Sequence, residues 1–96
     1  MIHYQHNCES TLWLFTNKMG ATVALIERGH IQRDAAAKSD RLSVTATCSL
    51  VIKKVTDEDA GRYTCRQFIS GEQQGPDSVF DLSVTNSEYL HHKVFS

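Results

Sequence analysis

The chain has 96 residues, 41% of them apolar and 22% charged, with a formal net charge of −1. That length holds one domain rather than two, and the near-zero charge without a basic run excludes the electrostatic footprint of a nucleic-acid binder. No apolar stretch approaches the about 20 residues that a membrane-spanning helix needs, and the polar opening Met1-Ile2-His3-Tyr4-Gln5-His6 carries no signal-peptide pattern.

Short extended segments separated by turn residues follow one another along the chain. Leu12-Trp13-Leu14-Phe15 reads as a buried strand, and Asn17-Lys18-Met19-Gly20 as the turn after it. Thr22 to Glu27 is β-branched and apolar, a second strand, and Arg28-Gly29-His30 turns into a short extended piece at Ile31. Asp34-Ala35-Ala36-Ala37 favours helix but is too short to stand as one, so it is expected to be a loop or a single turn. Arg41 to Thr45 alternates with Leu42 and Val44 on one face, and Cys48 to Lys53 with Cys48, Leu50 and Ile52 on one face. Thr56 to Asp59 carries the capping-box pattern of a helical turn. Arg62 to Ile69 is the next strand, Ser70 to Asp77 a polar loop, and Ser78 to Thr85 the last strand, with Phe80, Leu82 and Val84 on one face. Asn86 to Ser96 is polar and is expected to be a disordered tail. The domain is therefore drawn at residues 1–85 and the tail at 86–96. The whole pattern predicts an all-β sandwich.

The most specific segment is Asp59-Ala60-Gly61-Arg62-Tyr63-Thr64-Cys65. A Tyr two residues before a Cys, behind a Gly and an Asp, suits a sandwich corner in which the Tyr hydroxyl bonds back to the backbone of the preceding turn. With Trp13 and with Arg41-Leu42-Ser43-Val44, whose Arg pairs with the corner Asp59, this segment resembles the immunoglobulin V-set domain, over about residues 8 to 85. The likeness implies a Greek-key sandwich of the V type. Trp13 is then the buried strand C residue, and Arg41, Asp59, Gly61 and Tyr63 build the corner. In that family the strand B cysteine lies well before the Trp. Its place here would be at or before position 1, so the resemblance implies an N-terminally truncated domain lacking strands A and B. The segment Gly75-Pro76-Asp77-Ser78-Val79 lacks the Gly-x-Gly bulge of antigen-receptor chains. The closer likeness is to immune-type receptor proteins with an extra disulfide.

Three cysteines leave one thiol over in an oxidising compartment. The resemblance implies a Cys8–Cys48 bridge from the start of strand C to the start of strand E, with Cys65 an unpaired core cysteine. Cys8–Cys65 pairing, or no disulfide, remain open alternatives. Without strands A and B, the edge of strand E would be open and prone to pairing.

Other constellations carry less. His3, His6 and Cys8 have a spacing that suits zinc but lack a fourth ligand; His91-His92 lie in the tail; Asp57-Glu58-Asp59 lack the spacing and Gly of a calcium loop; no Cys–His arrangement supports a thiol nucleophile. No catalysis, metal or cofactor is expected. If Tyr63 and Cys65 point inward, Arg66 and Phe68 point outward, and so does Leu14 beside Trp13. An Arg with two apolar side chains on one face suits the centre of an interface. Leu14, Arg66 and Phe68, with Glu72, Gln73 and Gln74 of the loop, are the candidate ligand-binding residues. The resemblance implies an extracellular or cell-surface recognition module that docks a protein ligand on the GFCC′ face or the FG loop. A self-associating fragment that pairs through its open edge, as a homodimer, is the alternative.

Overall fold

The computed structural model describes residues 8, 10–33, 38–69, 72–73, 75–84 and 92–95. Nine strands are found among them: β1 (Thr11–Thr16), β2 (Thr22–Glu27), β3 (His30–Ile31), β4 (Leu42–Val44), β5 (Leu50–Ile52), β6 (Gly61–Ile69), β7 (Glu72–Gln73), β8 (Ser78–Leu82) and β9 (Lys93–Phe95). They form two antiparallel sheets, compatible with a β-sandwich. The larger runs β3-β2-β1-β6, with β8 and the short β7 both paired to β6; the smaller runs β4-β5-β9.

Alternation sets the faces of the larger sheet. Thr11, Trp13 and Phe15 of β1 are buried, while Leu12, Leu14 and Thr16 lie on the other face. On β2 the alternation breaks, because Leu25 and Ile26 are consecutive and both buried. The register shifts at this point: Trp13 faces Ile26, but Leu14 faces Ala24. Such a bulge lets two adjacent side chains enter the core while the ladder resumes on either side. The turn from β2 to β3 is Arg28-Gly29, both at positive φ (56° and 83°), as a two-residue hairpin loop requires.

The core between the sheets is built on five aromatic rings in series. Phe15 lies 4.8 Å from Tyr63, Tyr63 4.9 Å from Phe95, Phe95 5.2 Å from Phe80, and Phe80 5.9 Å from Trp13, measured between centroids. Tilted and offset contacts of this kind add about 0.5–1.5 kcal/mol each beyond the area they bury. Leu25, Ile26, Leu42, Leu50, Ile52 and Val55 fill the remaining space.

Cys8 and Cys48 are joined in a disulfide. The bridge ties the approach to β1 to the approach to β5, and so clamps one sheet to the other. Beside it, the Trp13 indole N–H donates to the Cys48 carbonyl at 3.0 Å. The closed loop spans 40 residues, which in the chain-entropy account contributes about 4 kcal/mol. Cys65 is free and half-buried on β6.

Two expectations about the C-terminal end are corrected. Lys93–Phe95 form a strand rather than part of a disordered tail, with Leu50 opposite Phe95, Val51 opposite Val94 and Ile52 opposite Lys93. The edge of the strand E segment, β5, is consequently covered and not open. The physical reason is Phe95, which stacks on Tyr63 and is buried within the core. A polar tail reading averages over the segment and misses one ring. That ring contributes about 1.5–3 kcal/mol on burial, so together with the ladder to β5 it offsets the about 1–2 kcal/mol that each ordered residue costs. The loop expected at Ser70 to Asp77 also holds the short strand β7, which returns against Phe68 and Ile69. The Asp34 to Ala37 turn lies outside the described residues.

The corner after β5 is held by Asp59, whose side chain is fully buried. One carboxylate oxygen accepts from Arg41 Nη1 and from the Thr56 backbone N–H, each at 2.8 Å. The other accepts from Arg41 Nη2 at 3.0 Å and lies 3.1 Å from Lys38 Nζ. Arg41 also donates to the carbonyls of Lys53 and Lys54 at 3.0 and 3.1 Å. Thr56 and Asp59 close a capping box over the 3-10 turn Asp57–Asp59. The Tyr63 hydroxyl donates to the Asp59 carbonyl at 2.6 Å. Burial pushes the Asp59 carboxyl upward, but Arg41, the Thr56 N–H and Lys38 outweigh it, and the group sits below its ordinary value. Burial raises the Tyr63 hydroxyl, and the charge on Asp59 adds to the rise.

Lys38 was not singled out from the sequence. It is buried, its ammonium 3.6 Å above the centre of the Phe15 ring and paired with Asp59. Burial lowers its pKa, and the Asp59 charge only partly offsets this. Gly61 begins β6 at φ 150°. A Cβ there would meet the Thr16 carbonyl oxygen at 2.5 Å and the Phe15 ring at 2.7 Å, so no other residue fits without movement.

Three outcomes are expected in urea melts. Gly61→Ala lowers stability by about 2 kcal/mol or more, from backbone strain and the Thr16 contact; an unchanged midpoint would contradict the tight approach. Arg41→Met costs about 3 kcal/mol or more, because it strips a buried carboxylate of its two-pronged partner. Lys38→Met costs less than about 1.5 kcal/mol, since it keeps the stem over Phe15 and removes a charge that burial disfavours; equal losses in the two variants would refute this ranking. The lowered Asp59 pKa gives stability that is fully present above the ordinary carboxylate value of about 4 and is lost as pH falls through the folded value. In Asp59→Asn that acid-dependent part disappears, so the difference between the two proteins' stabilities shrinks on acidification.

Candidate functional site

The outer face of the larger sheet assembles three cross-strand rows from β2, β1, β6 and β8. In the first, Thr22, Thr16, Arg62 and Asp81 lie side by side. The two threonine hydroxyls are 2.7 Å apart, and Arg62 Nε donates to Asp81 at 3.0 Å. In the central row, Ala24, Leu14, Thr64 and Val79 follow in register. In the third, Glu27 and Leu12 precede Arg66. Arg66 then donates to both oxygens of Asp77, from Nε at 3.0 Å and Nη2 at 2.9 Å. A mostly apolar band, Ala24, Leu14 and Val79 with the Thr64 hydroxyl among them, therefore runs across four strands between two ion pairs. Val79 is 51% exposed at its end.

The structure places Leu14 in the central row and Arg66 at its border. Phe68 lies farther along β6, where its backbone N–H donates to the Ser10 carbonyl at 2.8 Å. It is half-buried and pairs across to Gln73 of β7. Glu72 and Gln73 contribute backbone to that strand, and Gln74 lies outside the described residues. Arg66 is thus a partnered border residue, since Asp77 takes up both prongs of its guanidinium. Sequence reasoning missed Leu12, Ala24 and Val79. The signal for Val79 was present: with Phe80 and Leu82 inward, Val79 has to point outward. For Ala24 the signal was also present, since alternation from the exposed Thr22 places it outward, and the bulge reverses the count only from Ile26 onward.

The Arg62–Asp81 pair is largely open to water, so its energetic weight is small. The Arg66–Asp77 pair is more enclosed and has the planar two-bond geometry that fixes orientation. Each ion pair raises the pKa of its arginine, chiefly through the hydrogen bond to the carboxylate.

At one end of the sheets lies an open cleft of about 440 Å³, lined by Phe15, Val23, Leu25, Lys38, Ala60 and the exposed Met19. Its single buried charge, Lys38, is already satisfied by Asp59, by the Tyr63 hydroxyl at 3.4 Å and by the Glu58 carbonyl at 3.5 Å. Cys65 is held above its ordinary pKa, first by burial and then by the charge of Asp77. Among the described residues, no group of three His, Cys, Asp or Glu side chains is placed to hold a metal ion, and no helix is long and apolar enough to cross a membrane. His3, His6 and His91 lie outside the described residues.

No protein-family model, curated protein or solved structure matches the chain.

Proposed function

We propose that this chain is a recognition module of the immunoglobulin V type, extracellular or at the cell surface, which binds a protein ligand through the outer face of its larger sheet. The observation that carries the reading is the apolar band Ala24–Leu14–Thr64–Val79 with an ion pair on either side. A dry apolar centre with a polar rim is the anatomy of a protein interface. Leu12 and Phe68 extend the band toward the β6–β7 hairpin. Arg66, fixed by Asp77, presents its guanidinium plane at the border rather than a free charge at the centre.

Several features support the V-type reading. The corner Asp59–Tyr63–Arg41, the Trp13 indole beside the disulfide, and the order β3-β2-β1-β6-β8 correspond to the family's C″C′CFG sheet, with β4 and β5 in the places of D and E. The mechanism is docking of a preformed surface: β1, β2 and β6 each paired on two sides, and Trp13 and Tyr63 locked beneath, leave little to reorganise on binding. No catalytic, metal or cofactor role is proposed.

The test is a panel of extracellular protein domains probed with the multimerised chain. A ligand is expected whose binding weakens at least about tenfold, or about 1.4 kcal/mol, in Leu14→Asp and in Val79→Asp. Met19→Asp, at the distant and 94% exposed turn, should bind as the parent does. Binding indifferent to both Leu14 and Val79 would place recognition elsewhere.

A further inference from the structure

We infer that the hollow beside the β1–β2 turn binds a monocarboxylate with an apolar tail, a fatty acid in chemical class, with its carboxylate on Lys18 and Arg62 and its tail in the apolar cleft. The hollow has a volume of about 480 Å³, and Thr16, Lys18, Gly61, Arg62, Asp81 and Ser83 are in its walls. It adjoins the cleft of about 440 Å³, because Asn17, Lys18 and Ala60 line both. Small-molecule sites typically have volumes of about 300–1,000 Å³, and each of the two falls in that range.

Charge gives the hollow its preference. Lys18 is exposed and makes no hydrogen bond or ion pair among the described residues. Arg62 donates to Asp81 from Nε alone, and its Nη1 and Nη2 have no partner among those residues. Asp81 thus orients the guanidinium and leaves its outer fork open, which suits a planar carboxylate accepting two parallel bonds. Two cations against the one carboxylate of Asp81 leave a single positive charge in the hollow, and one bound carboxylate neutralises it. The Ser83 hydroxyl, also without a partner among the described residues, is a further donor.

The cleft has the opposite character. Phe15, Ala21, Val23 and Leu25 give it apolar walls, its Lys38 is neutralised by Asp59, and Asp57 and Glu58 repel an anion. Head and tail of the ligand are therefore told apart. The turn between the two openings is pinned: the Asn17 side-chain oxygen accepts from the backbone N–H groups of Met19 and Ala21 at 2.9 and 3.0 Å, and the Asn17 N–H donates to the Ala21 carbonyl at 2.9 Å. Lys18 is carried on a backbone already in place, which lowers the ordering cost of binding. Leu14 and Val79 take no part, so the inference stands apart from protein docking at the outer face.

The test titrates the ¹⁵N-labelled chain with octanoate, below its micelle concentration, and follows the backbone amides by NMR. Saturable shifts are expected at Lys18, Gly20, Ala21 and Gly61. 1-Octanol, which keeps the tail and lacks the charge, should bind at least about tenfold more weakly. Acetate, which keeps the charge and lacks the tail, should also bind at least about tenfold more weakly. Lys18→Gln combined with Arg62→Gln should weaken octanoate about tenfold or more. Octanol binding as well as octanoate would show that the charge is not read, and would overturn the proposal. So would acetate binding as well as octanoate, because the cleft would then contribute nothing. Unchanged affinity in the double variant, or shifts confined to other residues, would place the carboxylate elsewhere. The octanol and acetate arms use the unaltered chain, so they decide the matter even where the variant fails to fold.

Discussion

A single buried carboxylate organises this fold. Asp59 receives two bonds from Arg41, one from the Thr56 backbone and an ion pair from Lys38. Its own carbonyl receives the Tyr63 hydroxyl. Those partners come from the turn before β4, the turn after β5 and the start of β6, so two crossings between the sheets, β3 to β4 and β5 to β6, meet at one residue. An isolated carboxylate at that depth would be prohibitively costly. With every oxygen lone pair engaged, the burial becomes a constraint that admits one arrangement of the surrounding backbone. Gly61 adds a steric condition, because β6 must begin pressed against Thr16 and Phe15.

From this corner the larger sheet grows outward. Tyr63 leaves the corner as the third residue of β6 and packs on Phe15 and Phe95. Two residues later the same strand faces Trp13, whose indole reaches the Cys48 carbonyl at the other end of the sandwich. The ion-pair corner and the disulfide thus hold opposite ends, and the aromatic series runs between them. The exposed face inherits its order from this inner one: alternation that sends Trp13, Phe15 and Tyr63 inward also sends Leu14 and Thr64 outward in register.

Much of that interior was legible in the sequence, because it rests on short-range rules. Tyr two positions before Cys, Gly two before Tyr and Thr three before Asp each state a local geometry, and the pairing of Asp59 with Arg41 was implied by the likeness to the immunoglobulin V-set. β1 and β2 followed from short apolar and β-branched runs, and β4, β5 and β8 from alternation, while β7 lay hidden in a segment that reads as a polar loop. What escaped depends on position in space. Lys38 lies in a stretch with no periodicity, and nothing nearby announces that its stem crosses Phe15. The bulge at Leu25 and Ile26 turns Ile26 inward and Glu27 outward, where a strict two-residue period continued from Thr22 and Ala24 would place them the other way. β9 escaped because its partner β5 lies some 40 positions upstream, comparable to the 40-residue span of the disulfide, and a polar segment with one Phe gives no pattern to follow. The sequence also marked Arg66 as an exposed anchor, since Asp77 becomes its neighbour only once β6 and β8 are paired.

Cys65 has a consequence of another kind. Its thiol is half-buried against the core and held in the protonated form by burial and by Asp77. Nucleophilic attack requires the thiolate, so in the folded chain this sulfur is chemically quiet beside an intact disulfide. Reaction with a thiol reagent is therefore slower than at an exposed cysteine, and it quickens when β6 and β8 part. The chain thus carries its own chemical probe: a change in the rate at which Cys65 takes up a thiol reagent reports loosening of the sandwich at its centre, without any label added to the protein.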